Sequence, residues 1–411
     1  MSAMATTVET VGSERGSDHP TEAMIDVGKQ EFPTDPASQI ALDMKFRRRG
    51  GPPWSRSTPE ELTSALTSFL EKRVASDFTV TETRWLTGGA SKIQMAFTLN
   101  WSDPGRGAVA DRMLLRMDPP ETLNATFKQT EAELISAASG VLPVPAVRWL
   151  DAYGDEFPEP ALVCDFVDGV TKPQTTRTGQ VSGLGTNFGP ELRAKLAPQF
   201  VKHLAALHSL DVSDVVSDAL VRPDAGTSQS ALWRLNFERQ IWEQDRGEDV
   251  PLMDVAAGWL ERNLPVTERV SVVHGDFRSG NFLFDEKSAT ITAWLDWELG
   301  YLGDRHADLA YCTQPLYGHY AEDGKTFLAS GMLPREALFE EYEKASGLAV
   351  DPARITWYSV FCSYYAIVKT LATSYRVARL GRSHQDVLLA RLEGVVPVLT
   401  RELGQLLEKV V

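Results

Sequence analysis

The spacing of hydrophobic residues changes along the chain and predicts two regions of different structure. Segments at 78–86, 93–101 and 111–118 alternate apolar and polar residues, and the turn sequence "SDPGRG" separates the second from the third. Alternation with a period of two is typical of half-buried strands, so these segments predict an antiparallel β-meander. From about residue 190 onward, most apolar residues recur at helical spacing instead. We therefore expect an α+β fold, with a small β-rich lobe followed by a larger, mainly helical lobe.

A helix is expected to open the ordered part of the chain near residue 58. Thr58 is a suitable N-cap, Pro59 occupies the first helical position, and Glu61 completes a capping box. The apolar residues that follow fall on one helical face and comprise Leu62, Leu66, Phe69 and Leu70.

The segment before this helix has a different character. Residues 1 to about 50 are polar and lack hydrophobic periodicity, so we expect residues 1–55 to be disordered or loosely docked. The basic cluster "KFRRRGGPP" at 45–53 has the charge to bind an anionic partner, but a solvated linker is the favoured interpretation.

The chain is acidic, with 41 Lys and Arg against 56 Asp and Glu and a net charge of −15. This balance argues against a nucleic-acid partner, because such binding rests on cationic contacts to phosphate. The three cysteines are far apart and form no CxxC pair, so neither a zinc site nor a redox motif is expected. The N-terminus shows no secretory signal, and the most apolar long window, 357–375, contains Lys369 and several hydroxyl groups. We therefore expect a cytoplasmic protein without a membrane partner.

Four polar side chains lie close together between two apolar segments that resemble buried strands. The stretch "VVHGDFRSGNFLF" at 272–284 contains His274, Asp276, Arg278 and Asn281. Loops between strands commonly carry catalytic groups, because the scaffold fixes the direction of their side chains. The step from Asp276 to Asn281 equals the aspartate-to-asparagine spacing of the catalytic loop of protein kinases. In that loop the aspartate takes a hydroxyl proton, and the asparagine and a later aspartate bind Mg²⁺, which prefers hard oxygen ligands.

These motifs resemble those of the aminoglycoside phosphotransferase-like small-molecule kinases, which also include choline kinase-like proteins. "HGDFRSGNFLF" followed by "LDWELGYLGDRHADLAY" is most similar to the branch whose kinase-like domains are joined to acyl-CoA dehydrogenases. The landmarks "GVLPVPAV", "FVDG" and "LAALHSLD" follow the usual order of the family, and the resemblance covers roughly residues 57–400. It implies a two-lobed, protein-kinase-like fold with an N-lobe at 56–167 that binds nucleotide. A C-lobe at 168–411 would carry the catalytic loop, the metal and the substrate.

Carried over by position, the resemblance implies a role for each polar residue of the loop. Asp276 would be the catalytic base, and Asn281 and Asp296 would be the Mg²⁺ ligands. Arg278, two residues after the base, would contact the transferred phosphate, and an ordinary ion pair is the alternative.

The neighbouring polar residues are assigned structural roles. His274 is interpreted as a packed, hydrogen-bonded support of the loop rather than a proton carrier. Asp304 and Asp308 are expected to cap and pin the helix that follows them.

The resemblance also implies an ATP site in the small lobe. A glycine loop at 86–92, "LTGGASK", would cover the phosphates with backbone N–H groups, with contacts from Gly88, Gly89, Ser91 and Lys92. The lysine that kinases carry on the third strand is replaced by Arg116. Its acidic partner on the next helix is expected to be Glu131, with Glu133 as the fallback.

The linker between the lobes is expected at 163–167 and includes Asp165 and Val167. Its backbone would contact the adenine edge of ATP.

The function that these residues indicate is ATP- and Mg²⁺-dependent phosphorylation of a hydroxyl group on a small molecule. The branch suggests a hydroxyacyl-CoA or hydroxy acid as acceptor, and an aminoglycoside or macrolide antibiotic is the alternative. A nucleotide-binding regulator without turnover is the alternative from another class, which the intact set of Asp276, Asn281 and Asp296 disfavours. A metallohydrolase built on His274 and Asp276 is disfavoured more strongly, because it would lack further nearby histidines.

Overall fold

The computed structural model describes residues 18–50, 55, 57–86, 92–174, 184–215, 217–381, 389–391 and 393–410. Its helices are α1 (Glu22–Glu31), α2 (Pro36–Arg47), α3 (Pro59–Glu71), α4 (Lys128–Ala138), α5 (Gly189–Ser209), α6 (Gln229–Asp245), α7 (Pro251–Arg262), α8 (His306–Cys312), α9 (Arg335–Ser346), α10 (Pro352–Ile367), α11 (Tyr375–Leu380) and α12 (Val396–Leu407), with a π-helix at Val368–Ser374. Its strands are β1 (Phe78–Trp85), β2 (Ile93–Asp103), β3 (Gly107–Met117), β4 (Val147–Asp151), β5 (Ala161–Asp165), β6 (Ser271–Val273), β7 (Phe282–Asp285), β8 (Thr290–Trp294), β9 (Tyr301–Gly303), β10 (His319–Tyr320) and β11 (Phe327–Leu328).

The small lobe is built on a five-stranded antiparallel sheet in the order β1-β2-β3-β5-β4. β2 and β3 pair without interruption from Ile93–Met117 to Asp103–Gly107, which confirms the predicted meander. α3 begins with the expected capping box, because Thr58 and Glu61 each accept the backbone N–H of the other. Its apolar face packs on the sheet in a core of its own, as the helical spacing predicted.

The large lobe consists mainly of helices, with short strand pairs at its upper surface. β6 pairs with β9 and β7 with β8, and the loop between β6 and β7 carries the motif that the sequence singled out. The chain passes between the lobes after β5, and Val170 already pairs with Phe284 of β7. The small antiparallel lobe and the helical lobe together confirm the expected two-lobed, protein-kinase-like α+β fold. Among the described residues, no helix combines the length and apolar character that crossing a bilayer requires.

The N-terminal segment packs firmly where it is described, so the expectation of disorder or loose docking is wrong for residues 18–50. Leu42 and Phe46 of α2 are buried in the core of the large lobe. The Lys45 ammonium, also buried, donates to the backbone oxygen of Thr122 at 2.9 Å, in the segment between β3 and α4. α2 therefore contacts parts of both lobes. Residues 1–17 and 51–54 lie outside the described part of the chain.

Buried ion pairs explain why a segment with this polar sequence is packed in the interior. Lys45 and Arg49, read as members of a solvated basic linker, are 4% and 2% exposed. Both pair with the buried carboxylates of Glu121 and Asp245, which also pair with Arg376. Polar residues are usually exposed, and nothing in the local sequence reveals partners about 70 to 200 positions away.

Leu42→Ala is expected to lower the free energy of unfolding by about 2–5 kcal/mol, because Leu42 is fully buried and its truncation leaves a cavity. Urea denaturation followed by circular dichroism measures this change. Val27→Ala on α1 is the matched control, since Val27 is 59% exposed and should change stability by less than about 0.5 kcal/mol. Equal stability of Leu42→Ala and the wild type would show that α2 is not docked.

Candidate active site

The catalytic motif occupies a tight loop between β6 and β7, and its glycine permits the turn. Gly275 has φ +80°, and a Cβ at this position would lie 2.3 Å from the backbone oxygen of Leu299. Only glycine accommodates both the left-handed backbone and this close approach. The turn directs the next residue, Asp276, away from β6 at a position fixed by the strand.

His274 supports the loop in the manner that the sequence suggested. Its ring is fully buried, Nε2 donates to the Leu295 oxygen at 3.0 Å, and Nδ1 accepts the Asp276 N–H at 3.2 Å. Burial lowers the pKa of His274 although Asp308 and Asp276 oppose this shift, so the ring is neutral at pH 7. His274 thereby connects the backbone of Asp276 with the residue just before Asp296.

Asp308 holds the catalytic loop rather than capping its helix, so the role expected from the sequence is wrong. Its carboxylate accepts the backbone N–H groups of His274 and Gly275, both at 2.8 Å, and the Nε2 of His208 at 3.1 Å. Burial lowers the pKa of His208, so this contact joins a neutral imidazole to the carboxylate. Asp304 behaves as expected and accepts the backbone N–H of His306 at 3.0 Å.

Asp308→Asn is expected to lower the free energy of unfolding by about 1–3 kcal/mol, because an amide cannot accept from every donor that the carboxylate serves. It should also lower kcat by about 10- to 100-fold, since the loop beneath Asp276 loosens. Denaturation and steady-state kinetics measure the two effects. Asp323→Asn serves as the control, because Asp323 is exposed and its carboxylate accepts backbone N–H groups within its own turn. Wild-type kinetics in Asp308→Asn would contradict this positioning role.

Asp276 and Arg278 form a close ion pair at the surface of the loop. Arg278 Nε lies 2.7 Å from Asp276 Oδ1, and Nη2 lies 3.4 Å from Oδ2. Burial would lower the pKa of Arg278, but Asp276 raises it above the usual value, so the guanidinium stays charged. Nη1 is buried and has no hydrogen-bond partner among the described residues. The ion pair is therefore observed, while the phosphate contact remains a prediction.

Asn281 and Asp296 lie close together, and each carries a side-chain oxygen. The Asn281 amide nitrogen donates to the Asp276 backbone oxygen at 2.9 Å, which leaves its side-chain oxygen for another partner. The Asn281 backbone oxygen accepts the Leu295 N–H at 2.7 Å, so Asn281 lies beside Asp296. Asp296 has φ +59°, a left-handed conformation that is uncommon for a non-glycine residue and often marks a functional site. One amide and one carboxylate oxygen suit Mg²⁺, which fills its other positions with phosphate and water.

Seven charged side chains form a chain of ion pairs that starts at Asp296 and returns to Glu298 through the small lobe. Consecutive members lie 2.6–3.5 Å apart in the order Asp296, Arg116, Glu131, Lys128, Asp118, Lys92, Glu298. Four carboxylates against three cations leave a surplus of one negative charge. Asp296 is 38% exposed, whereas the other six side chains are at most 7% exposed. Asp296 is therefore the member of this negatively charged chain that faces solvent, where a divalent cation would be stabilised.

The structure describes only part of the loop that was predicted to cover the phosphates of ATP. Gly88, Gly89 and Ser91 lie outside the described residues. Lys92 is buried and paired with Asp118 and Glu298, both at 2.6 Å, so its ammonium does not face a phosphate as expected. Burial would lower the pKa of Lys92, but these two carboxylates raise it above the usual value.

Arg116 and Glu131 lie together, as the sequence led us to expect. Arg116 Nη2 is 3.5 Å from Glu131 Oε1 and 2.7 Å from Asp296 Oδ1. Glu133, the fallback, instead accepts the hydroxyl of Ser217 and the backbone N–H of Ala219.

The linker residues are described, but their contact to adenine remains a prediction. The Asp165 carboxylate pairs with Arg148 at 2.7 Å on the outer face of the sheet. The backbone N–H groups of Asp165 and Phe166 donate to Ala146 and Arg112. Val167 follows them and is half-buried.

Three features together define the class of this protein as a phosphotransferase of the kinase type. They are the two lobes, the Asp276–Asn281 loop on short strands, and the side-chain oxygens of Asn281 and Asp296 near the lobe interface. Residues 100–355 match the model of the phosphotransferase enzyme family, and the chain belongs to this family. The expected family and enzyme class are thus confirmed.

Relatives come from two groups of proteins. The chain is 28% identical over 214 residues to mouse acyl-CoA dehydrogenase family member 10, covering 51% of this chain and 19% of the mouse protein. It is 28% identical over 180 residues to an aminoglycoside 3′-phosphotransferase of Streptomyces fradiae, covering 41% of this chain and 62% of that protein. A solved candidate aminoglycoside phosphotransferase from Ralstonia eutropha has the same fold, with a TM-score of 0.60 and 20% identity over 84% of this chain and 98% of that chain. The chain thus spans only part of these curated relatives.

Proposed function

We propose that this chain transfers the terminal phosphoryl group of ATP to a hydroxyl group of a small molecule, with Mg²⁺ as the metal. The observation that carries the proposal is the grouping of Asp276, Asn281 and Asp296, in which Asp296 is the exposed member of a negatively charged chain of ion pairs. Asn281 and Asp296 would hold the metal. When bound, Mg²⁺ would neutralise charge on the phosphates.

Residues of the chain would orient the acceptor, remove its proton and stabilise the phosphates. Asp276 would orient the acceptor hydroxyl and take its proton as the new oxygen–phosphorus bond forms. The bond from that phosphorus to the bridging oxygen breaks, and ADP leaves with the electron pair. Arg116 and Arg278 would stabilise negative charge on the phosphates, since a guanidinium matches phosphate geometry.

For the acceptor, we propose a hydroxyacyl-CoA or a hydroxy acid. The similarity to a member of the acyl-CoA dehydrogenase family supports this choice. An aminoglycoside or macrolide is the alternative, which the similarity to the Streptomyces protein supports. Fold alone does not select between them, because unrelated acceptors are used on one fold.

Purified chain incubated with Mg²⁺ and ATP provides the test. We expect ADP release that depends on one acceptor class, and a product that is heavier by one phosphoryl group in mass spectrometry. Tight ATP binding without transfer to any hydroxy acid, CoA thioester or antibiotic would favour the nucleotide-binding regulator and contradict the proposal.

A further inference from the structure

The N-terminal segment, residues 18–50, is attached to the large lobe along α6. The side-chain amide of Asn236 donates to the backbone oxygen of Pro33 at 2.9 Å. The side-chain amide of Gln240 donates to the backbone oxygen of Phe32 at 2.7 Å. Both oxygens lie between α1 and α2, and the buried face of α2 packs in the core of the large lobe. This part of the segment is therefore fixed to the large lobe.

Three consecutive arginines near the end of the segment contact three different parts of the molecule, and they are Arg47, Arg48 and Arg49. The first pairs with Glu22 of α1 at 2.9 Å, within the segment itself. The second pairs with Glu159 at 2.9 Å, in the loop between β4 and β5 of the small lobe. The third pairs with Asp245 at the end of α6 in the large lobe. Two neighbouring arginines thus bind opposite lobes.

The Arg48–Glu159 ion pair is better shielded from water than its neighbour. Its side chains are 26% and 18% exposed, whereas those of Arg47 and Glu22 are 52% and 65% exposed. Shielding from solvent strengthens the attraction between the two charges and reduces its screening by salt. The contact between the segment and the small lobe is therefore more than a fully solvated surface pair.

The loop that carries Glu159 is itself fixed to the small lobe. Asp151 at the end of β4 accepts the backbone N–H groups of all four residues from 154 to 157. The Phe157 ring is buried in the core beneath the sheet, 4.7 Å from the Phe69 ring of α3. A restraint on Glu159 therefore acts on the small lobe as a whole.

The candidate active site requires one particular spacing of the two lobes. Arg116 of β3 reaches Asp296 at 2.7 Å, and Lys92 beside β2 reaches Glu298 at 2.6 Å. Both contacts cross from the small lobe to the large lobe. A site divided between two lobes binds its ligand more tightly when the lobes are already held at the correct spacing, because less conformational entropy is lost on binding.

We propose that Arg48 and Glu159 are positioning residues for nucleotide binding. Through their ion pair, the N-terminal segment restrains the small lobe at the spacing that Arg116 and Asp296 need. This inference rests on the proposed phosphotransferase function and gives the N-terminal segment a part in it. Loss of the pair allows a wider range of lobe spacings in the free protein, so binding of the nucleotide must then order the lobes.

Arg48→Gln provides the test, with calorimetric titration of Mg²⁺ and a non-hydrolysable ATP analogue. We expect Kd to rise by about two- to fivefold, the effect of losing one partly exposed ion pair. Glu159→Gln should have the same effect, and the double variant should be no weaker than either single variant, because one shared contact is lost. Exchange of the charges, Arg48→Glu with Glu159→Arg, should recover part of the affinity, which a general loss of stability would not produce.

Arg47→Gln is the matched control, since the neighbouring Arg47 pairs with Glu22 inside the segment. Its Kd should equal that of the wild type. The inference would be overturned by wild-type affinity in Arg48→Gln, or by an equal loss in Arg47→Gln and Arg48→Gln. Additive losses in the double variant would also overturn it, because the two residues would then act separately.

A distance measurement separates this inference from a failure of the phosphotransferase function itself. The three native cysteines are buried, so spin labels can be attached to Ala75→Cys in the small lobe and Glu340→Cys on α9, both at exposed positions. In the protein without nucleotide, electron paramagnetic resonance should show a broader distance distribution for Arg48→Gln than for the wild type or Arg47→Gln. An unchanged distribution would contradict the inference even if affinity fell. A broader distribution in a chain whose wild type binds no nucleotide would support the restraint and contradict the proposed function.

Discussion

Asp276→Asn is expected to lower kcat by about 10²- to 10⁴-fold, because the amide has the shape of the carboxylate but cannot take the hydroxyl proton. The Kd for Mg²⁺-ATP should stay within about threefold of the wild type, since the proposed metal ligands are Asn281 and Asp296. The loop should keep its fold, because His274 holds it through the Asp276 backbone N–H rather than its side chain. Steady-state kinetics and calorimetric titration of nucleotide measure these two effects separately.

The control for this substitution is Asp249→Asn, whose exposed carboxylate pairs with Arg246 near the end of α6. Its kcat should match that of the wild type. Wild-type turnover in Asp276→Asn would remove Asp276 from the chemical step, and loss of nucleotide binding would mean that Asp276 belongs to the metal site instead.

Asp296→Ala is expected to weaken Mg²⁺-dependent ATP binding by at least about 10²-fold, since the metal would contribute several kcal/mol of charge stabilisation and the substitution removes its proposed carboxylate ligand. Removal of Asp296 also takes away the 2.7 Å partner of Arg116, and the ion-pair chain loses its surplus negative charge. Titration of ATP with Mg²⁺ and with a chelator separates the metal contribution from that of the nucleotide alone. The wild type should lose most of its affinity in chelator, whereas the variant should bind equally weakly in both.

Asp285→Ala is a suitable control for Asp296→Ala, because the exposed Asp285 carboxylate accepts a backbone N–H within its own turn. Its ATP affinity should equal that of the wild type in the presence of Mg²⁺. Normal Mg²⁺-dependent binding to Asp296→Ala would show that the metal ligand has been assigned to the wrong residue.

The local parts of the site follow from the sequence. His274 to Asn281 lie in one short loop between two strands, so their spacing alone fixes their relative positions. To predict the pairing of Arg116 with Glu131, one must also know that the third strand packs beside the next helix. The family pattern supplied that fact, and the structure places the two side chains 3.5 Å apart.

The parts that the sequence did not reveal depend on contacts between distant positions. Asp308 reaches the backbone of His274, which is 34 positions earlier in the chain, and a single aspartate near a helix start looks like a cap. Lys92 was assigned to phosphate because it follows a glycine loop, but it lies among the carboxylates of Asp118 and Glu298. The N-terminal helices intersperse polar residues among their apolar ones, and this segment buries Lys45 and Arg49 through long-range ion pairs. The polar sequence therefore suggested exposed residues, whereas these charged side chains are buried and paired with opposite charges.

A crystal structure of the chain with Mg²⁺ and a non-hydrolysable ATP analogue tests the central claim most directly. We predict a metal ion bound by the side-chain oxygen of Asn281 and a carboxylate oxygen of Asp296, next to the terminal phosphate. The Asp276 carboxylate should face that phosphate from the side where the acceptor enters. A nucleotide bound elsewhere, or a metal ion without contacts to Asn281 and Asp296, would contradict the account.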